Sequence, residues 1–149
     1  NFSPKRIILD KNLDVNLNTY IIKSVKKNNT IIFHNSLDYS KIKLLKKKGV
    51  NLVKLKLNNK KRFNLKNVLK KIFSLGIRYL LVEGGDRITK SMLKNRLINK
   101  FYLFKSSKNL PKTKRYVAFT SKNILLDNYK IKIKETTKLA KDKISIYIR

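Results

Sequence analysis

An α/β fold with a largely parallel sheet and an antiparallel C-terminal edge is predicted by three observations. Short β-branched runs alternate with amphipathic stretches through the first two thirds of the chain. Glycines stand just beyond several of the amphipathic stretches, where helices end. Strand-like runs dominate the last third. Alternation of this kind builds helices over a parallel sheet, and consecutive strands close as hairpins.

The elements follow in order. Lys5-Arg6-Ile7-Ile8-Leu9, between Pro4 and Asp10, reads as a buried strand. Leu17 to Val25 is compatible with a short helix, and Asn28-Asn29 marks a turn. Thr30-Ile31-Ile32-Phe33 is a second strand by its β-branched and aromatic content. A helix is expected from about Asp38 to Lys48, with Ile42 and Leu45 inward and Gly49 beyond its end. Val50 to Leu57 reads as a third strand, although Val53 breaks strict alternation. Asn64 is a good N-cap. Leu65, Val68, Leu69, Ile72 and Phe73 follow at helical spacing, and Gly76 ends that helix. Ile77 to Val82 is expected as a fourth strand. Asp86 to about Leu97 is expected as a helix with Ile88, Met92 and Leu93 inward. Phe101 to Phe104 is a fifth strand, and Ser106 to Lys114, with Pro111, is a loop. Tyr116 to Thr120, Tyr129 to Ile133 and Ile144 to Ile148 complete the strands.

The chain has 149 residues and a hydrophobic fraction of 42%, enough for one domain with a real core. One domain over residues 1–149 is the expectation. No run of about 18 apolar residues is present, so no membrane partner is expected. With no cysteine there is no disulfide, no thiol chemistry and no thiolate metal site, which fits a cytoplasmic protein. One histidine makes a transition-metal site improbable on composition. The chain opens on Asn1, with a strand-like run almost at once, as a fragment of a longer chain would.

The net charge is +30, from 38 Lys+Arg against 8 Asp+Glu. Such a field attracts phosphate-rich partners, nucleic acid among them. Lysine, asparagine and isoleucine share A/T-rich codons, however, and the lysines spread over every element instead of forming a stripe. A nucleic-acid-binding module is therefore an alternative and not the leading expectation. The aromatics Tyr20, Phe33, Tyr79, Phe101, Tyr102 and Phe104 read as core or interface.

The segment Tyr79-Leu80-Leu81-Val82-Glu83-Gly84-Gly85-Asp86-Arg87-Ile88-Thr89 carries the chemistry. A strand running into two glycines and then a helix presents unpaired N–H groups and the positive end of a helix dipole. That is a site for a phosphate or diphosphate. Glycine at such a turn also serves close packing, and both readings stand at this level. Neither GxGxxG nor GxxxxGK[ST] occurs.

Leu81-Val82-Glu83-Gly84-Gly85 resembles the LVEGG signature of the riboflavin-biosynthesis reductases, the C-terminal domain of the bifunctional deaminase-reductase. Pro4 to Asp10 is similar to that family's P-x-R-[IV]-V-L-D strand. Thr30 to Phe33, Gly49-Val50, Phe63-Asn64-Leu65 and Leu97-Ile98-Asn99-Lys100-Phe101 match further blocks in order.

The resemblance implies a three-layer, dihydrofolate-reductase-like fold. It implies NADPH-dependent reduction of 5-amino-6-(5-phosphoribosylamino)uracil to 5-amino-6-(5-phosphoribitylamino)uracil. Gly84, Gly85, Asp86, Arg87, Ile88, Thr89, Lys90, Ser91 and Lys11 then inherit contact with NADPH, and Glu83 contact with substrate. Glu83 also reads as a carboxylate capping the helix start. The catalytic residues stay unassigned. A homodimer, a phosphorylated small-molecule substrate and a covalently linked N-terminal deaminase domain are the implied partners. Other pyrimidine or dihydrofolate-type reductases remain alternatives. The family's N-terminal block, with its first strand and helix, has no match here, so a structural remnant without turnover is a further alternative. His34 stands where the family often has a small hydroxyl residue. It reads either as a surface histidine or as a group facing the adenosine end of the cofactor.

Overall fold

The computed structural model describes residues 4–26, 29–108, 119–135 and 142–149. The chain divides into two compact units, Asn1–Arg78 and Tyr79–Arg149.

The first unit is built in three layers. Strands β1 (Arg6–Leu9), β2 (Thr30–His34) and β3 (Asn51–Lys54) form a parallel sheet in the order β1-β2-β3. Helices α1 (Tyr20–Lys23), α2 (Tyr39–Lys47) and α3 (Leu65–Ser74) connect and cover it. Alternation along β2 separates two cores. Ile32 packs with Leu13, Ile22, Leu45 and Val50 on the side of α1 and α2. Ile31 and Phe33 pack with Val68 and Ile72 of α3 on the other. A central strand covered on both faces has no solvent side, and every residue of β2 is buried.

The caps foreseen for α2 and α3 are present. Asp38 accepts from the Lys41 N–H, and Asn64 accepts from the Lys66 and Asn67 N–H groups. Gly49 and Gly76 follow these helices with φ of 84° and 82°, the left-handed turn that stops a helix.

The second unit holds α4 (Asp86–Lys94), β4 (Lys100–Lys105), α5 (Lys122–Asn128), β5 (Lys130–Glu135) and β6 (Lys143–Ile148). Its strands form an antiparallel sheet in the order β4-β6-β5, with a register shift between Ile131 and Ile133. Leu93 of α4, Leu125 of α5, Tyr129 and Tyr147 form the core, with Phe101 and Leu103 of β4 packed against it.

The α/β class and the order of a parallel part followed by an antiparallel part are as the sequence predicts. Three local expectations are corrected. Ile77 to Val82 forms no strand. Ile77 packs under α3, but Tyr79 and Leu81 are 97% and 77% exposed. An apolar run declares a preference for burial, not which neighbour will pair with it, and among the described residues this run has no ladder partner. Helix α5 was not foreseen, because seven residues between strand-like runs give too short a period to read. The helix after Gly85 ends at Lys94 and not near Leu97. Of the strand expected at Tyr116 to Thr120, Phe119 and Thr120 are not in a strand and the rest lies outside the described residues, as does Pro111 of the expected loop and Asn28 of the expected turn.

Candidate functional site

The glycine turn lies in the second unit. Gly85 is the N-cap of α4, with φ −67° and ψ 172°, and no side chain caps the helix. Glu83 is exposed and is therefore not the helix cap. Helix α4 forms because Ile88, Met92 and Leu93 fall on one side, with Asp86 placed favourably in the first turn. Its first N–H groups have no partner within the helix.

The two glycines are present for different reasons. A Cβ on Gly84 would collide with the Ile88 side chain. Gly84 is therefore required by packing. A Cβ on Gly85 would meet nothing within 4 Å, and its φ suits any residue. Neither packing nor backbone conformation within the chain asks for glycine there.

Gly85 opens on a cleft of about 420 Å³. Val82, Gly84, Gly85, Asp86 and Thr89 line one side. Phe101, Tyr102, Leu103 and Phe104 of β4 line the other, with Phe119 stacked on Phe101 at 5.9 Å between centroids. A polar helix start thus faces an aromatic wall, a combination suited to a ligand with an anionic group and a flat ring.

Asp86 has a second task. Its carboxylate accepts from the Thr120 hydroxyl at 2.6 Å, the Thr120 N–H at 3.0 Å and the Ser121 hydroxyl at 3.1 Å. The Thr120 hydroxyl bond is the main cause holding its pKa below the ordinary carboxylate value, with the Thr120 amide, Ser121 and Lys90 adding. Asp86 therefore ties the start of α4 to the start of α5. Sequence reasoning missed this tie, because its partners lie 34 and 35 residues away with no local signal.

The remaining residues fall as follows. Thr89 donates its hydroxyl to the Gly84 carbonyl at 3.4 Å. Arg87 is exposed, Lys90 and Ser91 are half-buried, and Ile88 is spent on packing under Gly84. Lys11 belongs to the first unit, exposed just beyond β1, where its carbonyl accepts from the Asn35 N–H at 2.8 Å.

His34 closes β2 and is only 4% exposed, which corrects the surface reading. Its Nδ1 has no hydrogen-bond partner. Burial lowers its pKa first, and Lys54, opposite it on β3, and Lys46 lower it further; Ser36 and Asp10 oppose them. The imidazole is thus neutral near pH 7, not the cation a phosphate would favour. No group of three or more His, Cys, Asp or Glu stands together among the described residues, and no described helix is long and apolar enough to cross a membrane.

The RibD C-terminal domain family matches residues 1–144. The riboflavin biosynthesis protein RibD of Aquifex aeolicus (strain VF5) is 38% identical over 101 residues, covering 68% of this chain and 26% of the relative. That of Actinobacillus pleuropneumoniae is 31% identical over 101 residues, covering 68% and 27%. The matched region thus spans about a quarter of these relatives. Among solved structures, Acinetobacter baumannii RibD superimposes with a TM-score of 0.69 at 17% identity, over 97% of this chain and 37% of that one. A pyrimidine reductase-like protein of Corynebacterium diphtheriae gives 0.72 at 13% identity, over 97% and 60%. At such identities these structures establish the fold.

Proposed function

The chain belongs to the RibD C-terminal domain family, and on that basis we propose that it is the reductase part of a riboflavin-pathway enzyme. Its reaction in this reading is the NADPH-dependent reduction of 5-amino-6-(5-phosphoribosylamino)uracil to the ribityl compound. The supporting observation is Gly85, a glycine with open space where its side chain would stand, at the head of a helix and on the rim of a cleft.

These residues fit the diphosphate of a dinucleotide. The absent side chain at Gly85 lets an anion approach the backbone, and the first N–H groups of α4 point at it. Arg87 and Lys90 add positive charge on the same turn and the next. The ionised Asp86 opposes an anion, but three donors already hold and partly neutralise it. When bound, the cofactor supplies the hydride.

The chain's own contribution is position and exclusion of water. The aromatic residues of β4 and Phe119 form an apolar wall that keeps solvent from a ring lying in the cleft. Glu83, exposed beside the turn, anchors substrate hydroxyl or ring N–H groups. Lys11 adds a cofactor contact from the first unit. The chain acts as a homodimer, with a deaminase domain linked on its N-terminal side.

The test is turnover. The protein is mixed with NADPH and the ribosylamino-uracil phosphate, and loss of the reduced nicotinamide absorbance is followed. Consumption that depends on this substrate supports the reading. Consumption with another pyrimidine only would transfer the reading to the kind of reductase that the corynebacterial neighbour's title describes.

A further inference from the structure

Strand β4 is the outermost strand of its sheet, and its whole length pairs with β6, from Lys100 opposite Ile148 to Lys105 opposite Lys143. The Arg149 N–H donates to the Asn99 carbonyl at 3.2 Å, which sets the phase of the ladder. Hydrogen-bonded positions then recur at Phe101, Leu103 and Lys105. The N–H and C=O groups of Lys100, Tyr102 and Phe104 point the other way. Among the described residues no strand receives them.

Phe101, Tyr102, Leu103 and Phe104 line the cleft in unbroken succession. Successive residues of a strand point to opposite faces, so an opening that touches all four lies along the strand's edge. Across it stand Val82 and the extended, exposed run from Tyr79, itself without a ladder partner among the described residues. Two unpaired extended backbones thus border one gap.

Charge selects the occupant. The edge is apolar and aromatic in the middle, with Lys100 and Lys105 at its ends. A second copy of the chain adding antiparallel would set Lys100 against Lys105, like charge against like, between bodies of net charge +30. Terminal lysines block that pairing. A strand with carboxylates at its ends meets opposite charges instead.

We propose that the open edge of β4 binds an extended polypeptide segment with a short β-branched centre and acidic ends, added as a further strand. The segment bonds to the backbone of Tyr102 and Phe104, away from Gly85 and the first turn of α4. The inference therefore stands apart from the cofactor reading, and either can fail without the other.

The test uses the full chain, labelled with nitrogen-15, and two blocked hexapeptides of alternating valine and threonine, one with glutamate at both ends and one with lysine. The glutamate peptide slows amide exchange at Tyr102 and Phe104 at least tenfold, while Phe101 and Leu103, already bonded to β6, change little. The lysine peptide has no such effect. Lys100→Glu with Lys105→Glu reverses the preference. Tyr102→Pro removes one outward N–H at a position where an edge strand tolerates proline, and it abolishes the protection while the β4–β6 ladder stays intact. Absence of slowing at Tyr102 and Phe104 overturns the proposal, as does equal slowing by both peptides or a preference unmoved by the charge reversal.

Discussion

The Ile88 side chain occupies the space that a side chain on Gly84 would need. Its neighbour Gly85 has empty space in the same role. Adjacent glycines in one turn therefore answer to different demands, the first to packing and the second to whatever enters the cleft. Gly84→Ala should destabilise the protein by about 1–3 kcal/mol, since a β-branched residue in a helix has little freedom to move aside. Gly85→Ala should leave the thermal midpoint unchanged or slightly raised, because its φ accepts alanine and the unfolded chain loses entropy. Melting curves of the two variants decide this, and equal destabilisation would remove the distinction.

The Asp86 tie predicts an acid-side dependence. Its folded pKa lies below the ordinary 3.8, so its contribution is complete above that value and is lost as pH falls through it toward the folded pKa. Asp86→Ala should melt lower than wild type near neutrality, and the gap should close as pH falls from about 5 to about 3. A gap that persists at the acid end would show that the carboxylate's charge is not what Thr120 and Ser121 hold.

His34 predicts a different window. Its folded pKa is depressed below 6.5, so the unfolded chain takes up a proton first. The stability linked to it is complete above about pH 6.5 and declines as pH falls below that. His34→Gln, which cannot titrate, should flatten the decline in melting midpoint between about pH 7 and pH 5. An unchanged slope would mean that the buried imidazole is not the group responsible.

Helix α3 gives a test of capping alone. Asn64→Ala removes the acceptor for the Lys66 and Asn67 N–H groups and should cost about 1 kcal/mol, with Asn64→Asp close to neutral. Denaturant midpoints at constant slope measure both.

The first unit was largely legible in the sequence. Asp38, Asn64, Gly49 and Gly76 are local signals, and the period of Leu65 to Phe73 needs no tertiary information. The failures are non-local. The run from Tyr79 to Val82 has strand composition, yet pairing depends on a neighbour that composition does not name. His34 looked like a surface residue because a lone polar group after an apolar run often is one. The central place of β2 in a parallel sheet buries its last residue with the rest. At the candidate site the motif located the turn, but not the division of labour within it. That Gly84 serves Ile88 and that Asp86 serves Thr120 and Ser121 depends on contacts the motif does not specify.

The central claim is that Gly85 and the start of α4 cradle the diphosphate of NADPH. Titration of NADPH into the wild-type chain and into Gly85→Ala, followed by nicotinamide fluorescence, tests it most directly. Saturable binding to the wild type, weakened about tenfold or more in the folded variant, a loss of about 1.4 kcal/mol, is the predicted result. Binding of equal strength in both proteins, or none to the wild type, would contradict it.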